Sequence, residues 1–89
     1  MPTIKSLGAD ARHHALLASL PQRAIDTLAR IEDDRRAVTR GKRATETTLQ
    51  SFPYMYAADR VIETHTGFAP ERGVDTLAVL AAAWEAQPA

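Results

Sequence analysis

The sequence predicts an all-α fold, a small compact bundle of about four helices. Three observations lead there. Apolar residues recur three and four positions apart along most of the chain, and no alternating run is long enough to read as a strand. Aromatic residues make up only 6% of the 89-residue chain while alanine is abundant, so the core must be built from thin elements packed closely. Proline and glycine fall where helices begin and end. The length suits one helical domain, residues 1–89, with room for a single core.

The first helix is expected from Leu7 to Ala18, with Ser6 as its N-cap and Leu7, Ala11, His14 or Ala15, and Ala18 on one face. The second opens at "SLPQ". Ser19 and Gln22 have the spacing of a capping box, and Pro21 sits in the first turn, the part of a helix that tolerates it. Ala24, Leu28, Ile31 and Val38 form its expected buried stripe, and Gly41 ends it. "ATETTLQS" reads as a short helix or a connector, because Pro53 disfavours helical backbone at the residue before it. The third main helix is then expected to start near Phe52, with Met55, Ala58, Val61 or Ile62, and His65 at helical spacing. Gly67 stops it, and Phe68 can fold back on Ile62. The fourth opens with Pro70 and Glu71, loses some stability at Gly73, and places Val74, Leu77, Ala81 and Trp84 on one stripe before Pro88.

Composition excludes several functions. At 45% hydrophobic and 25% charged residues the chain matches an ordinary folded protein. Without cysteine there is no disulfide, no zinc-cysteine site and no thiol nucleophile. The longest apolar run, Leu77 to Trp84, is far short of the roughly 18 residues a membrane span needs, so no membrane partner is expected. The stretch "MPTIKSLGADARHH" has no continuous apolar segment behind its lysine and does not read as a secretory signal, which makes a cytoplasmic location the expectation. Nine arginines against two lysines, beside so much alanine, are the composition of a GC-rich bacterial or phage genome.

Charge is balanced overall but placed unevenly. Residues 1–43 hold nine Lys/Arg against five Asp/Glu, and residues 44–89 hold two against six, so the halves carry +4 and −4. Such asymmetry serves a basic surface for polyanions, or two halves that attract within one molecule or in a homodimer. The most polar stretch is "DDRRAVTRGKR", residues 33–43. Glu32 faces Arg36 at i,i+4 and Asp33 faces Arg36 at i,i+3, which pairs the first cations locally. Arg40, Lys42 and Arg43 cluster where the helix dipole presents partial negative charge, with Glu46 within reach of Lys42 or Arg43 if the chain there is helical. A cationic helix end is therefore the first expectation. Arg35, Arg36, Arg40, Lys42 and Arg43 are also the candidate polyanion-binding residues, and an acidic protein partner is the third option.

No known nucleic-acid module fits around that patch. Aligning Gly41 to the turn of a helix-turn-helix puts Arg36, Arg40, Lys42, Thr47 and Gln50 where a core should be, and aligning Gly73 puts Gly67 and Pro70 inside a helix. Any nucleic-acid affinity is expected to be weak. His13 and His14 are adjacent and diverge on a helix, while Glu63 and His65 are two apart, so no metal site and no cofactor is expected. Asp59 and Glu63 are the one tidy carboxylate pair in the third helix, with Arg60 beside both, and read as a solvated face. No phosphate loop, dinucleotide fingerprint or nucleophile motif occurs, and no enzymatic activity is expected.

Recognition by surface side chains remains. Tyr54 and Tyr56 straddle Met55, so one of them must be more exposed. Tyr54 shares the apolar side with Ala58, Val61 and His65, whereas Tyr56 lies with Arg60 and Glu63 on the polar side. Tyr56, Arg60 and Glu63 are the candidate partner-binding residues, against the plainer reading of a tyrosine ring stacked on Arg60. Trp84 is expected to plug the core, with an anchor for a second chain as the alternative. The expected function is that of a small non-catalytic binding or regulatory protein, such as an accessory subunit, an antitoxin-like regulator or a phage-type inhibitor. The alternative is a nucleic-acid-associated protein using residues 35–43.

Overall fold

The computed structural model describes residues 9–67 and 74–88, and within them every regular element is an α-helix. The helices are α1 (Ala9–Ala18), α2 (Gln22–Thr39), α3 (Ala44–Thr66) and α4 (Val74–Glu85). They form the expected small all-α bundle. α2 is its centre, packed against both α3 and α4, while α1 lies against α4 and α3 meets α4 over a smaller area.

The core gathers Leu17 from α1, Leu20 from the connection to α2, Ala24 and Leu28 from α2, Ala58 and Ile62 from α3, and Val79, Leu80 and Ala83 from α4. Ile25, Ile31, Val61 and Leu77 pack around it. Alanine at three of these positions lets backbones approach closely, which is how so few aromatics suffice. The expected stripe of α2 is therefore right at Ala24 and Leu28 and partly right at Ile31, but Val38 is exposed.

Several boundaries and faces differ from expectation. Ser19 and Gln22 do not form a capping box: α2 takes Pro21 as its N-cap with no side-chain hydrogen bond. The Ser19 hydroxyl instead donates to the Leu16 carbonyl at 2.6 Å, closing the end of α1, and the Gln22 amide donates to Asp26 at 2.8 Å. The Ser19 backbone N–H donates to the same carbonyl at 3.1 Å, so the serine is folded back on the last turn of α1 rather than forward onto the amides of α2. Gly41 and Gly67 adopt φ of +75° and +83°, as helix-ending glycines should, and the Gly67 amide donates to the Glu63 carbonyl at 2.8 Å.

Pro53 does not start a helix. It stands inside α3, whose 23 residues run unbroken from Ala44, with the Thr47 amide bonded to the Arg43 carbonyl at 2.8 Å. Pro53 faces solvent, so water can reach the carbonyl its missing N–H leaves unbonded, while Ser51, Met55 and Ala58 are buried on the opposite side and hold the helix in place. In α1 the inward side chains are His13 and Leu17, not His14 or Ala18. In α4 they are Thr76, Val79, Leu80 and Ala83, one step around the helix from the expected stripe. α4 is apolar on most sides, and periodicity alone cannot orient such a helix. The expectations for Ser6, Leu7, Phe68, Pro70, Glu71 and Gly73 lie outside the described residues, as do those for the side chains of Ala11 and Val74.

Candidate functional site

α3 has two opposed faces. Ser51, Met55, Ala58 and Ile62 are buried toward α2 and α4. Half a turn away, Glu46, Leu49, Pro53, Tyr56, Arg60 and Glu63 follow one another at alternating three- and four-residue steps, and all six are exposed. Leu49 is 67% exposed and Tyr56 48%, large values for side chains of their size. The Tyr56 ring stacks on Phe52 at 6.2 Å between centroids, with 25° between planes. The structure thus sets Tyr56, Arg60 and Glu63 together on the outer side of α3 and adds Leu49, Phe52 and Pro53 to them.

Asp59 does not belong to that face. It is buried toward α4, where the Thr76 hydroxyl donates to its carboxylate at 2.8 Å. Asp59 and Glu63 are therefore not a solvated pair, because Asp59 is covered and Glu63 is exposed. His65, expected on the apolar side, is exposed beside Arg23 and Thr27 of α2. Its place in the core belongs to Ile62.

The basic segment divides into two parts. Glu32 has no exposed surface, and both its oxygens are taken. Arg35 donates through Nε to Oε1 at 2.6 Å and through Nη2 to Oε2 at 2.9 Å, and Arg36 donates through Nε to Oε2 at 2.8 Å. Burial pushes the Glu32 carboxyl up, but the hydrogen bonds and charges of the two arginines outweigh it and hold the group below its ordinary value. The same bonds to Glu32 push the Arg35 guanidinium up. Arg35 also reaches across to the buried Ser51 hydroxyl of α3 at 3.2 Å, and that hydroxyl donates to the Thr47 carbonyl at 2.6 Å.

Arg36 lies over the Trp84 ring, 4.0 Å from its centroid, and the indole N–H points to Asp33 at 3.4 Å. Trp84 therefore fills no core position. It is 39% exposed and covers the outer side of the Glu32–Arg36 pair, tying the end of α4 to α2. Asp33, expected to pair with Arg36, serves Trp84 instead.

Arg40, Lys42 and Arg43 are different. They surround Gly41 at the tip of the α2–α3 hairpin, are exposed, and form no ion pair among the described residues. Neither does Glu46, although the chain there is helical. Among the histidines, buried His13 meets Asp75 of α4 at 3.0 Å, whereas His14 is exposed. An open groove between α2 and the end of α4 is lined by Asp26, Arg30, Asp33, Trp84 and Gln87. Its two aspartates already accept hydrogen bonds from Gln22, Gln87 and Trp84.

No protein family, curated protein or solved structure matches this chain, so its function has to be argued from the residues above.

Proposed function

We propose that this chain is a small non-catalytic binding protein that meets a protein partner through the outer face of α3. The observation that carries the reading is the exposure of Leu49 and Tyr56 on the side of α3 opposite its buried line, with Arg60 and Glu63 continuing the same face. Tyrosine offers a large contact area for little loss of rotamer freedom, and arginine a planar array of donors, so both are over-represented among residues that dominate binding energy. An accessory subunit, an antitoxin-like regulator and a phage-type inhibitor would all act in this way.

The test combines capture with affinity. A photo-activatable cross-linker at position 56 is expected to trap a protein partner, a second copy of the chain or another protein, that the same group at exposed position 85 of α4 does not trap. Against that protein, Tyr56→Ala and Arg60→Ala should each weaken binding by about 2 kcal/mol, roughly 30-fold. Melting of the free chain should move by no more than about 0.5 kcal/mol in stability. Unchanged affinity in both variants would remove the α3 face from the interface.

A second reading rests on the hairpin tip. Arg40, Lys42 and Arg43 project from one end of the molecule without ionic partners among the described residues, an arrangement suited to weak contact with phosphates.

A further inference from the structure

The outer face of α3 is distinctive in its order as well as its exposure. The face reads anion, apolar centre, cation, anion: Glu46, then Leu49, Pro53 and Tyr56, then Arg60 and Glu63, and the exposed cation Arg43 stands just before it as the residue that caps the helix. Arg43 and Glu63 lie equally far from Pro53 in sequence, and so do Glu46 and Arg60. The charge pattern is therefore reversed in sign about Pro53. A copy of the same helix laid alongside in the opposite direction meets every cation with an anion, whereas a parallel copy meets like with like.

We propose that this face is a homodimer interface, in which two copies of the chain lay their α3 helices antiparallel across a two-fold axis at Pro53. The proposal rests on the reading of α3 as a protein-binding face and names the occupant. A two-fold contact requires a surface complementary to itself, residue i meeting j while j meets i. Here Arg43 meets Glu63 of the other copy, Glu46 meets its Arg60, and each of these pairs occurs twice.

The centre is suited to the same arrangement. Leu49 comes opposite Ala57 and next to Tyr56 of the other copy, and Gln50, also exposed, comes opposite Tyr56. Pro53 on the axis has no backbone N–H to leave unsatisfied in the contact, and Phe52 supports the Tyr56 ring from the side. The centre is thus aromatic and aliphatic and the rim charged, the usual order of a protein interface.

The fold leaves room for it. α3 has 23 residues, against 10 in α1 and 12 in α4, so those two helices cannot cover its length. They lie on the bundle side, and the outer face stays open along the whole helix.

The test is the mass of the full chain by sedimentation or light scattering, from low micromolar to millimolar concentration at low salt. A dimer is expected, weakening as salt rises. Glu46→Arg and Arg60→Glu, both at exposed positions, should each raise the dimer dissociation constant by roughly ten-fold or more, because each replaces two opposite-charge pairs by two like-charge pairs. The combined variant Glu46→Arg/Arg60→Glu should return the constant to that of the original chain. Leu49→Asp should give a monomer with unchanged circular dichroism. A monomer at every concentration would overturn the proposal while leaving the cross-linking test of the α3 face to stand or fall on its own. A dimer indifferent to all four variants would overturn it too, and so would a combined variant no tighter than either single one.

Discussion

Glu32 is a carboxylate with no exposed surface, and it sits where α2 passes both α3 and α4. Leaving an ionised group in such a place is costly unless its charge and lone pairs are answered. Three hydrogen bonds from Arg35 and Arg36 answer them, and Arg35 and Trp84 carry the same cluster on to Ser51 of α3 and to α4. Removing only the negative charge should therefore be harmful. Glu32→Gln is expected to cost about 3–5 kcal/mol, since two arginines would be left facing an amide that can accept at one atom only. The pH dependence follows from the direction of the shift. The folded carboxyl holds its proton less tightly than the unfolded one, so its contribution is complete above the ordinary value of 4.5 and declines as pH falls from there through the lower folded value. Urea melts between neutral pH and pH about 3 should show that decline in the original chain and a flatter profile in Glu32→Gln. An equal acid slope in both would assign the loss to other carboxylates. The i,i+4 pairing with Arg36 is legible in the sequence. Burial is not, because Glu32 opens a run of charges that by its pattern belongs in water, and only the arrival of α3 and α4 encloses it.

The helices themselves are legible wherever a terminus depends on local chemistry. Gly41 and Gly67 end α2 and α3 because a left-handed residue is needed there and glycine supplies it at no steric cost. Pro53 and Ser19 are not legible, for different reasons. Pro53 disfavours helix, yet Ser51, Met55 and Ala58 bury themselves only if α3 continues through it, so packing overrides a local preference that the sequence states correctly. Ser19 stands between two helices, and its hydroxyl takes the local partner on the α1 side, the Leu16 carbonyl. The candidate face is legible in part. Met55 fixes which side of α3 is inside, so Tyr56 and Arg60 follow as outside, but Leu49 joins them only once residues 44–52 are known to be helical. The residual cost of Pro53 can be measured. Pro53→Ala restores one backbone hydrogen bond and removes the clash of the ring with the Leu49 carbonyl, and nothing inside the bundle is lost because position 53 is exposed. We expect a gain of about 1–3 kcal/mol with unchanged helical circular dichroism, measured on dilute protein so that self-association does not contribute. A loss of stability would mean that Pro53 is held by contacts that outweigh its missing hydrogen bond.

For the molecule as a whole, the basic and acidic halves do pack together, since α2 lies against both α3 and α4. Contact between polar side chains of the two halves is sparse among the described residues: the His13 ring is hydrogen-bonded to Asp75 at 3.0 Å, while Glu32 pairs with arginines of its own half. The cations at the hairpin tip are therefore not consumed in folding, and their number limits what the molecule can do with a polyanion. If all five basic residues from Arg35 to Arg43 met phosphates, the logarithm of the affinity would fall with the logarithm of salt at a slope of about −4.5. Arg35 and Arg36 are held by Glu32, and releasing them would leave a buried carboxylate unpaired, so only Arg40, Lys42 and Arg43 can take part. The slope should then be no steeper than about −2.7, a loss of roughly 40-fold in affinity between about 50 and 200 mM salt. Titration of labelled duplex and single strands across that range measures it. Replacing Arg40, Lys42 and Arg43 with glutamine should abolish the salt-dependent binding without altering the melt of dilute protein, where self-association does not contribute, because all three are exposed. A slope near −4.5 together with submicromolar binding at about 150 mM salt would show that Glu32 gives up its arginines to the polyanion, and would move the function from the outer face of α3 to the hairpin tip.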